Sequence, residues 1–409
     1  MSDMLVKVKC HCGISNFHVK FDQSRLPYPI AFCHCNNCRH STGQMAFYGI
    51  PIDGPPLVGS CSLRPVNLDT TDLTGYSVSP TSTHYFCLNC SARMFLRKLQ
   101  DNEIRWLVAG GLLESTAGII ELEGHKNLIE TLDGGLADHL RLLNGKTLKR
   151  YARDVGSEEL PAGWRSDELK FKSNVGKDEK LHAYCHCGAI RICITRPNRF
   201  SASIHAPYPA LVHPHYSRLS LRRNPKDEKW WLRPSMRMTE AGHLVKMGGG
   251  DEDFTAPHSG TKYLAGHCVC LHCKLGSGFD IQSYAFFPRT NIFEEGSEDP
   301  IEFFEEEYRP RGLKQYSSSP GKYREFCATC GATAFYWHIG RPDVINMSTG
   351  LIDQKDYGAR AEEWLSWETE KVAFMEEGLA EPNRNLVLAL LDGIKSIPDS
   401  SGPPVIVAH

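Results

Sequence analysis

The stretch from Cys33 to Gly43 reads CHCNNCRHSTG, and Cys268 to Gly278 repeats it as CVCLHCKLGSG. Each holds three thiols at C-x-C-x-x-C spacing. Cysteines one residue apart close a relaxed disulfide poorly, because their Cα separation and side-chain directions are wrong for it. Working outward, each triplet is preceded by CHCG, at Cys10 and Cys12 and again at Cys185 and Cys187. Each is followed by Phe and C-x-x-C, at Cys87 and Cys90 and again at Cys327 and Cys330. The pattern therefore occurs twice, with seven cysteines per copy. The first pairs are 175 residues apart, the triplets 235 and the last pairs 240. The second copy thus carries its extra length mainly between its first two groups.

The rest of the composition is ordinary for a globular chain. Of 409 residues, 41% are hydrophobic and 23% charged, which excludes a wholly disordered or collagenous protein. Lys and Arg number 46 against 48 Asp and Glu, a formal charge of −2 that argues against nucleic acid as a partner. No apolar run reaches the ~18 residues of a membrane span, and Met1 to Lys9 lacks a signal-peptide core. The expectation is a cytoplasmic protein without membrane contact. In that compartment thiols stay reduced, and cysteines serve metals or chemistry.

Period-two alternation predicts strands at Phe17–Phe21, Ile104–Val108 and Ile190–Ile194. Helical spacing is confined to Asn385–Ile397 and the region of Leu136–Tyr151. The expected fold class is all-β: two tandem zinc-binding domains of small antiparallel sheets with peripheral short helices. The expected domains are 1–153 and 181–398, with a polar linker at 154–180 and a tail at 399–409. The second carries an insertion at about 200–262, read as a surface excursion containing Trp230, Trp231 and the run Gly248–Gly250. Cys61 and Cys193 have no partner in the repeat and read as buried small hydrophobes.

Seven cysteines divide as four plus three. Four thiolates close a structural zinc site, whereas three leave one position open. An iron–sulfur reading fits this division less well. Which pairs share an ion is left open by spacing alone. A histidine fourth ligand is an alternative for the triplets, with His11, His34 and His40 as candidates in the first copy and His186, His267 and His272 in the second. An open zinc with three thiolates would take up a substrate thiol and hold it as thiolate at neutral pH. Arg39 and Lys274 are candidate carboxylate anchors for such a thiol, or else solvated surface charges.

These motifs resemble the glutathione-dependent formaldehyde-activating enzyme and centromere protein V domain family. The paired arrangement, with WWLR at Trp230–Arg233 and YLAG at Tyr263–Gly266, is similar to the two-domain members common in fungi. The resemblance implies a β-tent fold and resolves the pairing. It assigns structural zinc to Cys10, Cys12, Cys87 and Cys90, and to Cys185, Cys187, Cys327 and Cys330. It assigns a catalytic zinc to Cys33, Cys35 and Cys38, and another to Cys268, Cys270 and Cys273. That is two ions per domain, about four per chain. The implied activity is carbon–sulfur lyase chemistry, the addition of glutathione or a similar small thiol to formaldehyde. The alternative is a non-catalytic, zinc-stabilised binding module. A chromatin or cytoskeletal role, by analogy with centromere protein V, meets the near-neutral charge as an objection. Ser91 stands where the family usually has glycine, and Val269 and Lys274 replace its usual His and Arg.

Overall fold

The computed structural model describes residues 3–59, 62–170, 179–213, 224, 226–233, 236–238, 244–246, 261–380, 382 and 384–396. Alternation becomes strand where one face can be buried. Asn16–Asp22 points Phe17, Val19 and Phe21 inward and pairs antiparallel with Asp3–Lys9. Glu103–Ala109 and Arg191–Ile194 are strands as the pattern predicts. The molecule is mostly β, in several small and largely antiparallel sheets, as expected from the sequence.

Around the first cysteine set, Gly49–Ile52, Glu103–Ala109, Arg93–Gln100, Ser82–Cys87 and Leu73–Ser79 lie side by side in that order. Around the second, Gln282–Pro288, Val344–Ser348, Thr333–His338, Lys322–Cys327 and Leu313–Ser319 take the same order within an eight-stranded sheet. The registers agree as well. Tyr85 faces Phe95 as Glu325 faces Phe335, and both hairpins shift register at the next residue, just before the C-x-x-C. We call these two regions the first and second halves. One hydrophobic core runs through both.

Two seven-residue helices position the triplets, Asn36–Thr42 and Leu271–Ser277. Each starts on the middle cysteine, Cys35 or Cys270, whose sulfur accepts from the backbone N–H of the third. Each ends on a glycine, Gly43 or Gly278, with φ of 76°. Only glycine takes that left-handed turn without strain.

The predicted C-terminal helix forms, over Arg384–Lys395. Two expectations change. No helix forms over Leu136–Tyr151. Gly134 and Gly135 both have positive φ, a 3-10 turn occupies Gly135–Asp138, and Asn144-Gly145 turns a small hairpin between Leu142–Leu143 and Lys146–Thr147. The local Asn-Gly turn preference outweighs the helical spacing of the leucines. The insertion is more than a surface excursion. Trp231 is fully buried with its Nε1 donating to Ser201 O, Trp230 is buried beside it, and Leu232–Arg233 pair with Lys262–Tyr263. Within 154–170, Leu160 packs on Leu128, Ala137 and Ala152. Cys193 is buried on its strand. Cys61, Gly248–Gly250, 171–178 and 399–409 lie outside the described residues.

Candidate metal centres

The chain gathers its cysteines into four groups: Cys10, Cys12, Cys87 and Cys90; Cys185, Cys187, Cys327 and Cys330; Cys33, Cys35 and Cys38; and Cys268, Cys270 and Cys273. Within each group the sulfurs lie within 4.8 Å of one another. Close pairs such as Cys10–Cys12 and Cys187–Cys327 stand 3.4 Å apart, and Cys12–Cys87 3.6 Å. Disulfide bonding needs about 2.05 Å. A tetrahedral ion at ~2.3 Å from each sulfur sets them roughly 3.8 Å apart, so the groups fit a metal. The described cysteines are all free.

Backbone N–H groups support the sulfurs in matching ways. Ser15 N donates to Cys10 Sγ and Ile190 N to Cys185 Sγ, both at 3.3 Å. Gly331 follows the second C-x-x-C with φ of 72°, and Ser91 adopts 63° at the equivalent place. The first knuckle therefore holds a non-glycine residue in the left-handed region, as its sequence predicts.

The six candidate histidines all bind elsewhere, and no described histidine joins a cysteine group. His34 Nε2 meets His125 Nδ1 at 3.0 Å, and His267 bonds His139 and Ser283. His40 stacks on Tyr184 and donates from Nδ1 to its carbonyl. His11 bonds Tyr316 Oη at 2.9 Å and His272 Nδ1 at 2.8 Å. His186 bonds Tyr76 Oη at 2.7 Å and Asn37 Oδ1 at 3.2 Å. Tyr316 and Tyr76 are equivalent, as are His272 and Asn37. Each knuckle histidine therefore reaches the same two positions of the opposite half.

Arg39 and Lys274 are neither anchors nor surface charges. Arg39 is fully buried and donates from Nη2 to Ile352 O at 2.7 Å, in the opposite half. Lys274 is buried against Asp280, with Nζ 3.2 Å from Oδ1. Oxygens of Ile352, Asn36 and Gln354 receive the Arg39 guanidinium, and Asp280 pairs Lys274.

The two triplets differ in their surroundings. Cys268, Cys270 and Cys273 line a cavity of about 310 Å³, a size suited to a small ligand. Tyr284, Arg324, Tyr336, Asn346 and Phe374 share it, and Pro209–Val212 of the insertion close one side. The equivalent places around the first triplet hold Gly49, His84, Leu96, Leu107 and Asn127. Leu96 and Leu107 fill the space where Tyr284 stands: a Cβ on Gly49 would lie 3.0 Å from Leu107 Cβ and 3.2 Å from Leu96 Cδ1. Asn127 donates to Cys33 Sγ at 3.2 Å. Carboxylates cap both helices, Glu130 at Asn36 N (2.7 Å) and Glu377 at Leu271 N (3.1 Å).

Sequence reasoning passed over Arg324, Tyr284, Asn127, Glu130 and Glu377. The signal for Arg324 and Tyr284 lay in the repeat itself, where the copies hold His84 and Gly49.

One thiol in each triplet is strongly acidified. Hydrogen bonds from Cys35 and Cys38 lower Cys33 well below a free thiol. Those from Cys268 and Cys270, with the Arg324 charge in addition, do the same for Cys273. His84 is held neutral by burial and then by the charge of Arg93.

Among the described residues, no helix is long and apolar enough to cross a membrane. No curated protein and no solved structure matches the chain. Residues 5–121, which include the seven repeat cysteines of the first copy, match the family model described as glutathione-dependent formaldehyde-activating enzyme.

Proposed function

We propose that the chain is two tandem domains of this kind, at 1–153 and 181–398, binding four zinc ions, and that the second half adds a small thiol such as glutathione to formaldehyde. One observation carries the reading: Cys268, Cys270 and Cys273 line a ligand-sized cavity with no fourth protein ligand among the described residues. Zinc held there supplies an open place at which a thiol loses its proton at neutral pH. The chain's own residues then orient the reactants. Cys268, Cys270 and Cys273 hold the ion, Pro209–Val212 and Phe374 restrict water, and Tyr284 offers a hydroxyl to the carbonyl oxygen. The thiolate sulfur forms a bond to the carbonyl carbon. The C=O π pair moves to oxygen, which takes up a proton and leaves a hydroxymethyl thioether.

Support for a structural role is stronger at Cys33, Cys35 and Cys38, where Leu96 and Leu107 occupy the pocket position. We read that half as the non-catalytic, zinc-stabilised module. The test is NMR exchange between formaldehyde and glutathione with the zinc-loaded chain. Acceleration that Cys270→Ser removes and Cys35→Ser leaves largely intact supports the reading. Exchange at the uncatalysed rate overturns the substrate assignment.

A further inference from the structure

Arg324 is only 7% exposed, yet no carboxylate is among its partners in the described structure. Its Nη2 lies 3.6 Å from Cys273 Sγ, and its Nη1 lies 3.4 Å from Tyr284 Oη. Its guanidinium sits 5.4 Å from the Tyr336 ring centroid, and Nε has no partner. A buried guanidinium without a carboxylate is costly unless other anions compensate it. The anions that stand here are the thiolates of the second triplet. A guanidinium keeps its proton in proteins, so the charge of Arg324 stands beside Cys273 despite burial.

The first half shows that this arrangement is specific to one site. His84 takes the place of Arg324 and hydrogen-bonds Ser41 Oγ at 3.4 Å. Gly276 takes the place of Ser41, and a Cβ there would lie 3.8 Å from Arg324 Nη1. The second half has thus exchanged a neutral Ser–His pair for a Gly–Arg pair. Tyr284, the other partner of the guanidinium, replaces Gly49.

We propose that Arg324 is a specificity-determining residue that makes the second triplet, and not the first, take an anionic fourth ligand. The inference deepens the thiol-addition reading but is tested separately from it. A divalent ion with three thiolates carries −1, and a fourth anion brings it to −2. Arg324 beside Cys273 returns the site to −1, in a cavity where charge is weakly screened. Among the described residues no cation hydrogen-bonds a sulfur of the first triplet: His84 bonds Ser41, and the neutral amide of Asn127 donates to Cys33. Thiolates, azide and similar small anions are the class of ligand favoured, and neutral donors such as imidazole gain nothing from the residue.

The experiment uses the full chain loaded with cobalt(II), whose visible bands report the fourth ligand of each open site. The probes are 3-mercaptopropionate, azide and imidazole. Cys35→Ser isolates the second open site and Cys270→Ser the first. The expected result is that anions bind the second site, and that Arg324→Gln weakens them about 30-fold while leaving imidazole affinity and metal content unchanged. Arg324→Lys recovers part of the anion affinity. If Arg324→Gln loses metal, the Arg324→Lys and wild-type anion-to-imidazole ratios decide the matter. Equal loss of anion and imidazole binding, no loss of either, or anion binding centred on the first site overturns the proposal. A wild type that binds anions through Arg324 but does not accelerate thiol addition overturns the activity and leaves this inference standing.

Discussion

His11 Nε2 and His272 Nδ1 meet at 2.8 Å across the boundary between the halves, and His186 approaches the equivalent residue, Asn37, from the other side at 3.2 Å. Each knuckle that can hold a metal is therefore also a clamp on the opposite half. The first prediction is that His11→Ala and His186→Ala each destabilise the chain by about 1–2 kcal/mol, since each loses two side-chain hydrogen bonds. A double-mutant cycle between positions 11 and 272, read from denaturant midpoints, gives a coupling of about 1 kcal/mol. Simple additivity would show that the contact does no energetic work.

The two kinds of cysteine group differ in the length of chain they close. Cys12 and Cys87 are in contact though 75 residues apart, whereas Cys33, Cys35 and Cys38 are local. A metal that bridges distant segments stabilises more, because it removes more freedom from the unfolded chain. Metal analysis of Cys87→Ser and Cys35→Ser should show one ion lost from each. The melting temperature should fall much further for Cys87→Ser, and equal melting temperatures would contradict this difference.

Gly43 closes the first cysteine helix directly against the second half. A Cβ there would lie 2.0 Å from Thr333 O, a backbone atom that cannot step aside. Gly13 has a similar φ of 79° but nothing within 4 Å. Gly13→Ala should therefore cost only the left-handed strain, about 1–2 kcal/mol. Gly43→Ala should cost more than about 4 kcal/mol and separate the halves, which thermal denaturation and limited proteolysis would reveal. Similar costs for both would refute the steric argument.

Ser91 holds φ of 63° where Gly331 holds 72°. Ser91→Gly should stabilise the protein by about 1 kcal/mol by relieving the left-handed penalty. The reverse change, Gly331→Ser, should fail, because a Cβ there meets the Phe86 ring at 2.4 Å. Urea midpoints of the two variants against wild type check both signs.

His125 is fully buried, donates from Nε2 to Leu140 O and, as a neutral ring, accepts at Nδ1 from His34 Nε2. Burial, together with the nearby Arg150 charge, lowers its pKa to about 4. The unfolded chain titrates near 6.5, so between these values it binds the extra proton and the folded chain does not. Stability is then full above pH 6.5 and falls as the pH drops toward 4, by about 1.4 kcal/mol per pH unit from this residue. His125→Asn should flatten that slope by one proton between pH 6.5 and 5, whatever its effect on stability at neutral pH. An unchanged slope in pH-dependent urea melts would exclude this role.

The cysteine groups were legible in the sequence because their geometry is local: C-x-C and C-x-x-C fix pairs of sulfurs before any tertiary contact forms. The strands were legible for the same reason, since Phe17, Val19 and Phe21 declare a buried face by themselves. What could not be read was each residue's view across the boundary between the halves. His11 and His186 look like ligands in a cysteine motif, yet their rings turn to the opposite half. Arg39 and Lys274 look like surface charges, yet helix packing buries them against Ile352 and Asp280. The leucines between Leu136 and Tyr151 have helical spacing, but glycines at 134, 135 and 145 redirect the backbone. Arg324 and Tyr284 were visible only as mismatches between the two copies, which carry no meaning until the sheets are superposed.

Pro209–Val212 wall the second cavity, while Trp230 and Trp231, midway along the same insertion, anchor it in the core. The wall contains no cysteine and carries none of the close turns that join the halves. Ala210 and Val212 belong to the hydrophobic core as well as to the wall. The mouth of the cavity is therefore keyed to the packing beneath it, and a change of side chain at 210 or 212 is felt by the fold and the cavity together.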